Sequence, residues 1–122
     1  MIRKGIDFEI NNDIDKFVVE ALCIKVKVNN EDIHLINFYN APDLKINKDL
    51  LNFIDQKFKM YILCGDLNAK HVAFGCNKTN LSGSNLFETV NSSKAVLLNN
   101  EDHTFYRTQK HFRSFRFMGL FK

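Results

Sequence analysis

The sequence predicts an α/β domain, mainly an antiparallel sheet with flanking helices. Three patterns carry that expectation: two consecutive runs at strand period, a segment with apolar residues at helical spacing, and a short unbroken apolar run. Read in order they give hairpin, helix, buried strand, helix and strand, the pattern of helices packed on a sheet.

The first run, LCIKVKV over 22–28, puts Leu22, Ile24, Val26 and Val28 on one face and Lys25 and Lys27 on the other. A polar connector, Asn29 to Asp32, leads into IHLINFY over 33–39, so the two runs predict an antiparallel hairpin. Pro42, the single proline, ends the second run because it cannot donate to a ladder. From Asn47 onward, Leu50, Leu51, Ile54 and Phe58 recur at helical spacing, with Asn47 as candidate N-cap and Asp49 favourable in the first turn.

MYILC, residues 60–64, does not alternate and predicts a central strand covered on both faces. A second helix is expected over Ser84 to Val90, with Leu86, Phe87 and Val90 as its apolar stripe, and a short strand over AVLL at 95–98. The final stretch, RTQKHFRSFRFMGLFK, carries Arg107, Lys110, Arg113, Arg116 and Lys122 without one acidic residue, and its aromatics follow neither period.

With 122 residues, 45% of them hydrophobic, the sequence is of one-domain size and can bury a core. A formal charge of +3 falls short of the density that alone argues for nucleic-acid binding. Cys23, Cys64 and Cys76 show no CxxC spacing, which argues against a disulfide framework or a zinc site and for reduced thiols. Cys23 and Cys64 lie in apolar runs and read as core. Nothing resembles a signal peptide or a run of about 18 apolar residues, so a soluble, intracellular protein without a membrane partner is expected. Asn-x-Ser/Thr triplets at Asn77, Asn80 and Asn91 read as chance in an asparagine-rich sequence.

The chemistry concentrates where MYILC ends. Gly65 lets the chain leave the sheet at an angle a Cβ would hinder, and Asp66 and Asn68 point the same way if the chain is still extended. A carboxylate that orients or deprotonates water, beside an amide that donates to a charged oxygen, suits phosphoryl chemistry. The structural alternative is an Asx-turn that caps the loop.

GDLNAKH, Gly65 to His71, resembles the GDFNA motif of the endonuclease/exonuclease/phosphatase superfamily. More narrowly, GDLNAKHVAFGCNKTNLSGSNLFETV is similar to the endonuclease domain of non-long-terminal-repeat retrotransposons, with Phe74, Gly75 and Cys76 at its Trp-Gly-Ser-like step and Gly83 to Leu86 opening a helix. NFYNAP, Asn37 to Pro42, resembles the strand that carries that family's active-site tyrosine, which places Tyr39 there. Glu20 with ALCIKVKV resembles the preceding strand, and NNEDHTFYR a later segment with His103 in a proline position.

The resemblance implies a fragment of a four-layered α/β sandwich and hydrolysis of DNA phosphodiester bonds with magnesium. Asp66, Asn68 and Tyr39 are then the catalytic candidates, with Asp66 also a metal ligand. Thr104, Lys70 and His71 are the substrate-binding candidates; the bland reading is a structural threonine and two solvated loop residues. Asn40 and Asp43 lie where the family has polar cleft residues but are not assigned a role. DNA is the implied partner, with no obligate protein partner, and an intracellular, nuclear setting follows.

The likeness covers residues 2–108, so a partial domain is expected over 1–108 and a basic aromatic tail outside the pattern over 109–122. The family's metal-holding glutamate lies upstream of the part this sequence matches, and its closing Ser-Asp-His lies downstream of Thr104; the sequence supplies neither, since no aspartate follows Asp102. An impaired nuclease that folds marginally, with unpaired sheet edges, is therefore the expectation. The alternative is a non-catalytic remnant with at most weak, salt-sensitive nucleic-acid binding. A phosphatase acting on a lipid headgroup or small molecule shares the core motif, but the surroundings of GDLNAKH argue against it.

Overall fold

The computed structural model describes residues 4–98 and the backbone of Leu120 and Phe121. The strands are β1 (Phe8–Asn11), β2 (Glu20–Val28), β3 (Glu31–Tyr39), β4 (Tyr61–Cys64), β5 (Val96–Leu97) and β6 (Leu120–Phe121). The helices are α1 (Lys48–Lys57) and α2 (Leu81–Ser92), with 3-10 turns at Asp15–Phe17 and Val72–Phe74. The strands form a single sheet in the order β1-β2-β3-β4-β6-β5.

The hairpin forms where its alternation predicts, but with its faces reversed: Cys23 turns to the core, and the stripe of Leu22, Ile24, Val26 and Val28 lies on the other face, with Leu22 and Val28 exposed. Asn29 and Asn30, at φ 50° and 65°, make a two-residue turn whose left-handed backbone matches the strand twist. The register then pairs Val28 with Glu31 and Cys23 with Ile36. β1, too short for its period to stand out, pairs antiparallel with β2 and was not foreseen.

Asn47 caps α1 by accepting from the Asp49 amide at 2.8 Å, and the helix buries Leu50, Leu51 and Ile54, as the spacing predicts. Because α1 carries the chain back across the sheet, β4 pairs parallel to β3, Leu35 with Ile62 and Ile36 with Leu63, within an otherwise antiparallel sheet. α2 starts at Leu81, three residues before the expected Ser84, since Asn80 accepts from the Gly83 amide and caps it. Of the expected strand at 95–98, Val96 and Leu97 are extended in the sheet. Leu120 and Phe121, in the basic tail, pair with both β4 and β5.

The core lies between one face of the sheet and the helices. Cys23, Ile36, Phe38, Tyr61 and Leu63 meet Leu50, Leu51, Ile54 and Leu86 there. Burial lifts the Cys23 thiol to about 11, so it stays an inert protonated thiol. The Tyr61 hydroxyl, also raised by burial, donates to Asp55 at 3.2 Å.

The opposite face is apolar and open: Phe8, Ile10, Leu22 and Val28 are each exposed there. The strand period puts Ile62 and Cys64 on this same side, where both are half-buried. β4 is thus covered on one face and not on both, and Cys64 is not a core residue, although burial still raises its thiol.

Candidate functional site

β3 and β4 run parallel and finish at the same end of the sheet, with Asn37 opposite Cys64. Continuing that register by two residues sets Tyr39 opposite Asp66, and the Asn40 amide donates to the Asp66 carbonyl at 2.9 Å. Two of the catalytic candidates therefore sit side by side at the strand ends. Tyr39 stands on the open face and is 43% exposed, so it is not a core tyrosine.

Asn68 differs from expectation. The chain is no longer extended there, for Gly65 has φ 128° and Asn68 has φ 45°. Asparagine tolerates the left-handed region better than other residues with a Cβ, and here both its amide and its side chain are bonded. Its amide donates to Asp66 Oδ1 at 3.3 Å, which is an Asx-turn, and its Nδ2 donates to the Asn40 carbonyl at 2.8 Å. The expectation that both side chains leave one face of an extended strand is corrected: Asn68 reaches back to Asn40, just past the end of β3.

Burial raises the Asp66 carboxyl above its ordinary 3.8, and the Asn68 N–H opposes the shift in part. A raised folded-state value favours the protonated form, so this group's stabilisation is fully present below 3.8 and is lost as pH rises through the folded value. Asp66→Asn is accordingly expected to raise the melting temperature slightly at pH 7 and to give no gain below pH 3.8. Melting curves at both pH values check this; a lower melting temperature at pH 7 would refute it.

Lys70 is exposed, as a phosphate contact requires, while its backbone is fixed to Asn80 in both directions. His71 does not extend into solvent beside it. Its ring stacks on Phe87 at 4.2 Å, and its Nδ1 accepts from the Ala73 amide to cap the following 3-10 turn. Thr104 lies outside the described residues.

Sequence reasoning missed the frame beneath this loop. Asn40, which is 5% exposed, donates to the Leu44 carbonyl at 2.9 Å. Ser82 accepts from the Ile46 amide at 3.0 Å and donates to Leu44. Asn80, read as a chance glycosylation triplet, caps α2 and donates to the Asn68 carbonyl at 2.8 Å. An N-cap preference before the Leu86 stripe was the one signal available for it.

An aspartate and a tyrosine at the ends of two parallel strands, beside a glycine-aspartate turn held by asparagines, make a polar site at one end of an α/β sheet. Residues 33–115 match the family model described as endonuclease-reverse transcriptase, and the chain belongs to that family. Among solved structures, the endonuclease domain of TRAS1, a telomere-specific non-LTR retrotransposon, is similar with a TM-score of 0.81. The two are 20% identical; the likeness covers 99% of this chain and 57% of that one. No curated protein matches the sequence.

Membership suggests a divalent metal in general terms. Among the described residues no three His, Cys, Asp or Glu side chains converge on one point. Asp66 alone does not fit a resident metal site, which needs several oxygen ligands. No described helix is long and apolar enough to cross a membrane.

Proposed function

We propose that this chain carries the aspartate side of an endonuclease site that hydrolyses phosphodiester bonds in DNA, with weak catalysis in isolation. The observation behind this reading is the bond from the Asn40 amide to the Asp66 carbonyl, which brings Tyr39 beside Asp66 where β3 and β4 end, on a chain of the endonuclease-reverse transcriptase family. Asp66 orients or deprotonates the attacking water, a role its raised carboxyl suits. The Tyr39 hydroxyl donates to a phosphate oxygen, and the second Nδ2 hydrogen of Asn68 faces developing charge. Lys70 attracts the phosphate backbone without reading sequence. Asp66 is also the carboxylate that would help to hold a magnesium ion, which would supply charge stabilisation. One carboxylate does not hold that ion, and the roles assigned to these residues do not pass through it.

The test is nicking of supercoiled plasmid in magnesium buffer by the chain and by Asp66→Ala. The expected result is slow nicking that falls at least about 100-fold in the variant. Equal, background-level nicking by both would overturn it. The exposed Lys70 in this loop favours a second reading, non-catalytic nucleic-acid binding, which predicts no nicking and binding that weakens steeply as salt rises, alike in both proteins.

A further inference from the structure

We infer that Asn80 is a positioning residue for the Asp66 loop, beyond its part as a helix cap; the inference takes its functional meaning from the phosphodiesterase reading above. Its planar amide engages three backbone groups at once. Oδ1 accepts from the Gly83 amide at 2.8 Å and from the Lys70 amide at 2.9 Å, while Nδ2 donates to the Asn68 carbonyl at 2.8 Å. Its own amide donates to the Lys70 carbonyl at 2.9 Å.

The first of these bonds is ordinary capping, which Ser, Thr or Asp would supply as well. The bond to Asn68 is different, because it needs a donor on the same group that carries the cap acceptor. Asparagine offers both at this reach.

Within this loop, Asn68 is the residue that needs holding. It is a non-glycine at φ 45°, and its amide in turn holds Asp66 Oδ1. Its carbonyl is fixed by Asn80, its Nδ2 by the Asn40 carbonyl and its amide by Asp66. The N-terminus of α2 and the end of β3 thus grip the loop from opposite sides. Releasing either grip lets Asn68 relax toward negative φ and carries the Asp66 carboxylate with it.

Asn80→Asp separates capping from positioning. It keeps the Oδ1 acceptor, adds a charge favourable at a helix N-terminus, and sets a carboxylate oxygen against the Asn68 carbonyl where a donor stood. The expected result is retained helicity and a melting temperature near the parent's, with scalar couplings showing Asn68 leaving positive φ. Exchange of the Asn68 amide speeds up about tenfold, the factor for one lost hydrogen bond. Nicking falls about tenfold in kcat with KM unchanged.

Unchanged Asn68 couplings and exchange in the variant would overturn the inference. If Asn80→Asp does not fold, Asn80→Ser, which also caps but cannot reach Asn68, is read the same way. Absence of nicking in the parent would sink the nuclease reading alone, since the couplings and the exchange still decide the role of Asn80.

Discussion

Gly83→Ala is expected to destabilise the protein by about 3 kcal/mol, the opposite of what the substitution does in an ordinary helix. In an exposed helix interior alanine is better than glycine by roughly 1 kcal/mol. Gly83 is buried in the first turn of α2, and a Cβ there would lie 1.8 Å from the Lys70 carbonyl oxygen and 2.3 Å from its carbon. These are backbone atoms, and no side-chain rotation relieves the overlap. Either α2 lifts away from the loop or the loop moves. The first loses the packing of Leu86, which is fully buried, and the second breaks the two hydrogen bonds between Lys70 and Asn80. Denaturant unfolding monitored by helicity checks this: a lower midpoint is expected, and an equal or higher one would show that α2 does not press on Lys70.

The same contact shows why the candidate site was only half legible in the sequence. GDLN was readable because its residues are adjacent and their chemistry is local. The alternation of Leu22 to Val28 and the spacing of Leu50, Leu51 and Ile54 were readable because each is periodic along the chain. The partners of Asn68 are Asn40 and Asn80, 28 and 12 residues away, and no pattern along the chain announces such a meeting. The parallel pairing of β4 with β3 was in principle available, since a helix between two strands allows the crossover that parallel strands need. His71 misled for a physical reason: a histidine after a catalytic-looking loop reads as solvent-facing, and only tertiary packing brings Phe87 beneath its ring.

Gly65→Ala is expected to have the larger effect, above about 4 kcal/mol, because two independent penalties coincide. The backbone at φ 128° is in a region that side chains with a Cβ avoid, which costs on the order of 1 to 3 kcal/mol alone. In addition the Cβ would lie 2.1 Å from the Phe38 carbonyl oxygen and 2.8 Å from its nitrogen. Phe38 is itself in the core, so β3 cannot yield outward without exposing it. The remaining movement is for β4 to peel from β3 at its end, breaking the bond from the Asn40 amide to the Asp66 carbonyl. Tyr39 and Asp66 are then no longer paired, and any population that stays folded loses the site. Asp66→Ala, in contrast, removes the carboxylate while leaving that geometry in place. The two variants are therefore expected to share a loss of nicking and to differ in stability, with Gly65→Ala alone melting far below the parent. A Gly65→Ala protein that melts with the parent and keeps the Asn40 amide protected from exchange would show that the strand ends need no glycine to meet.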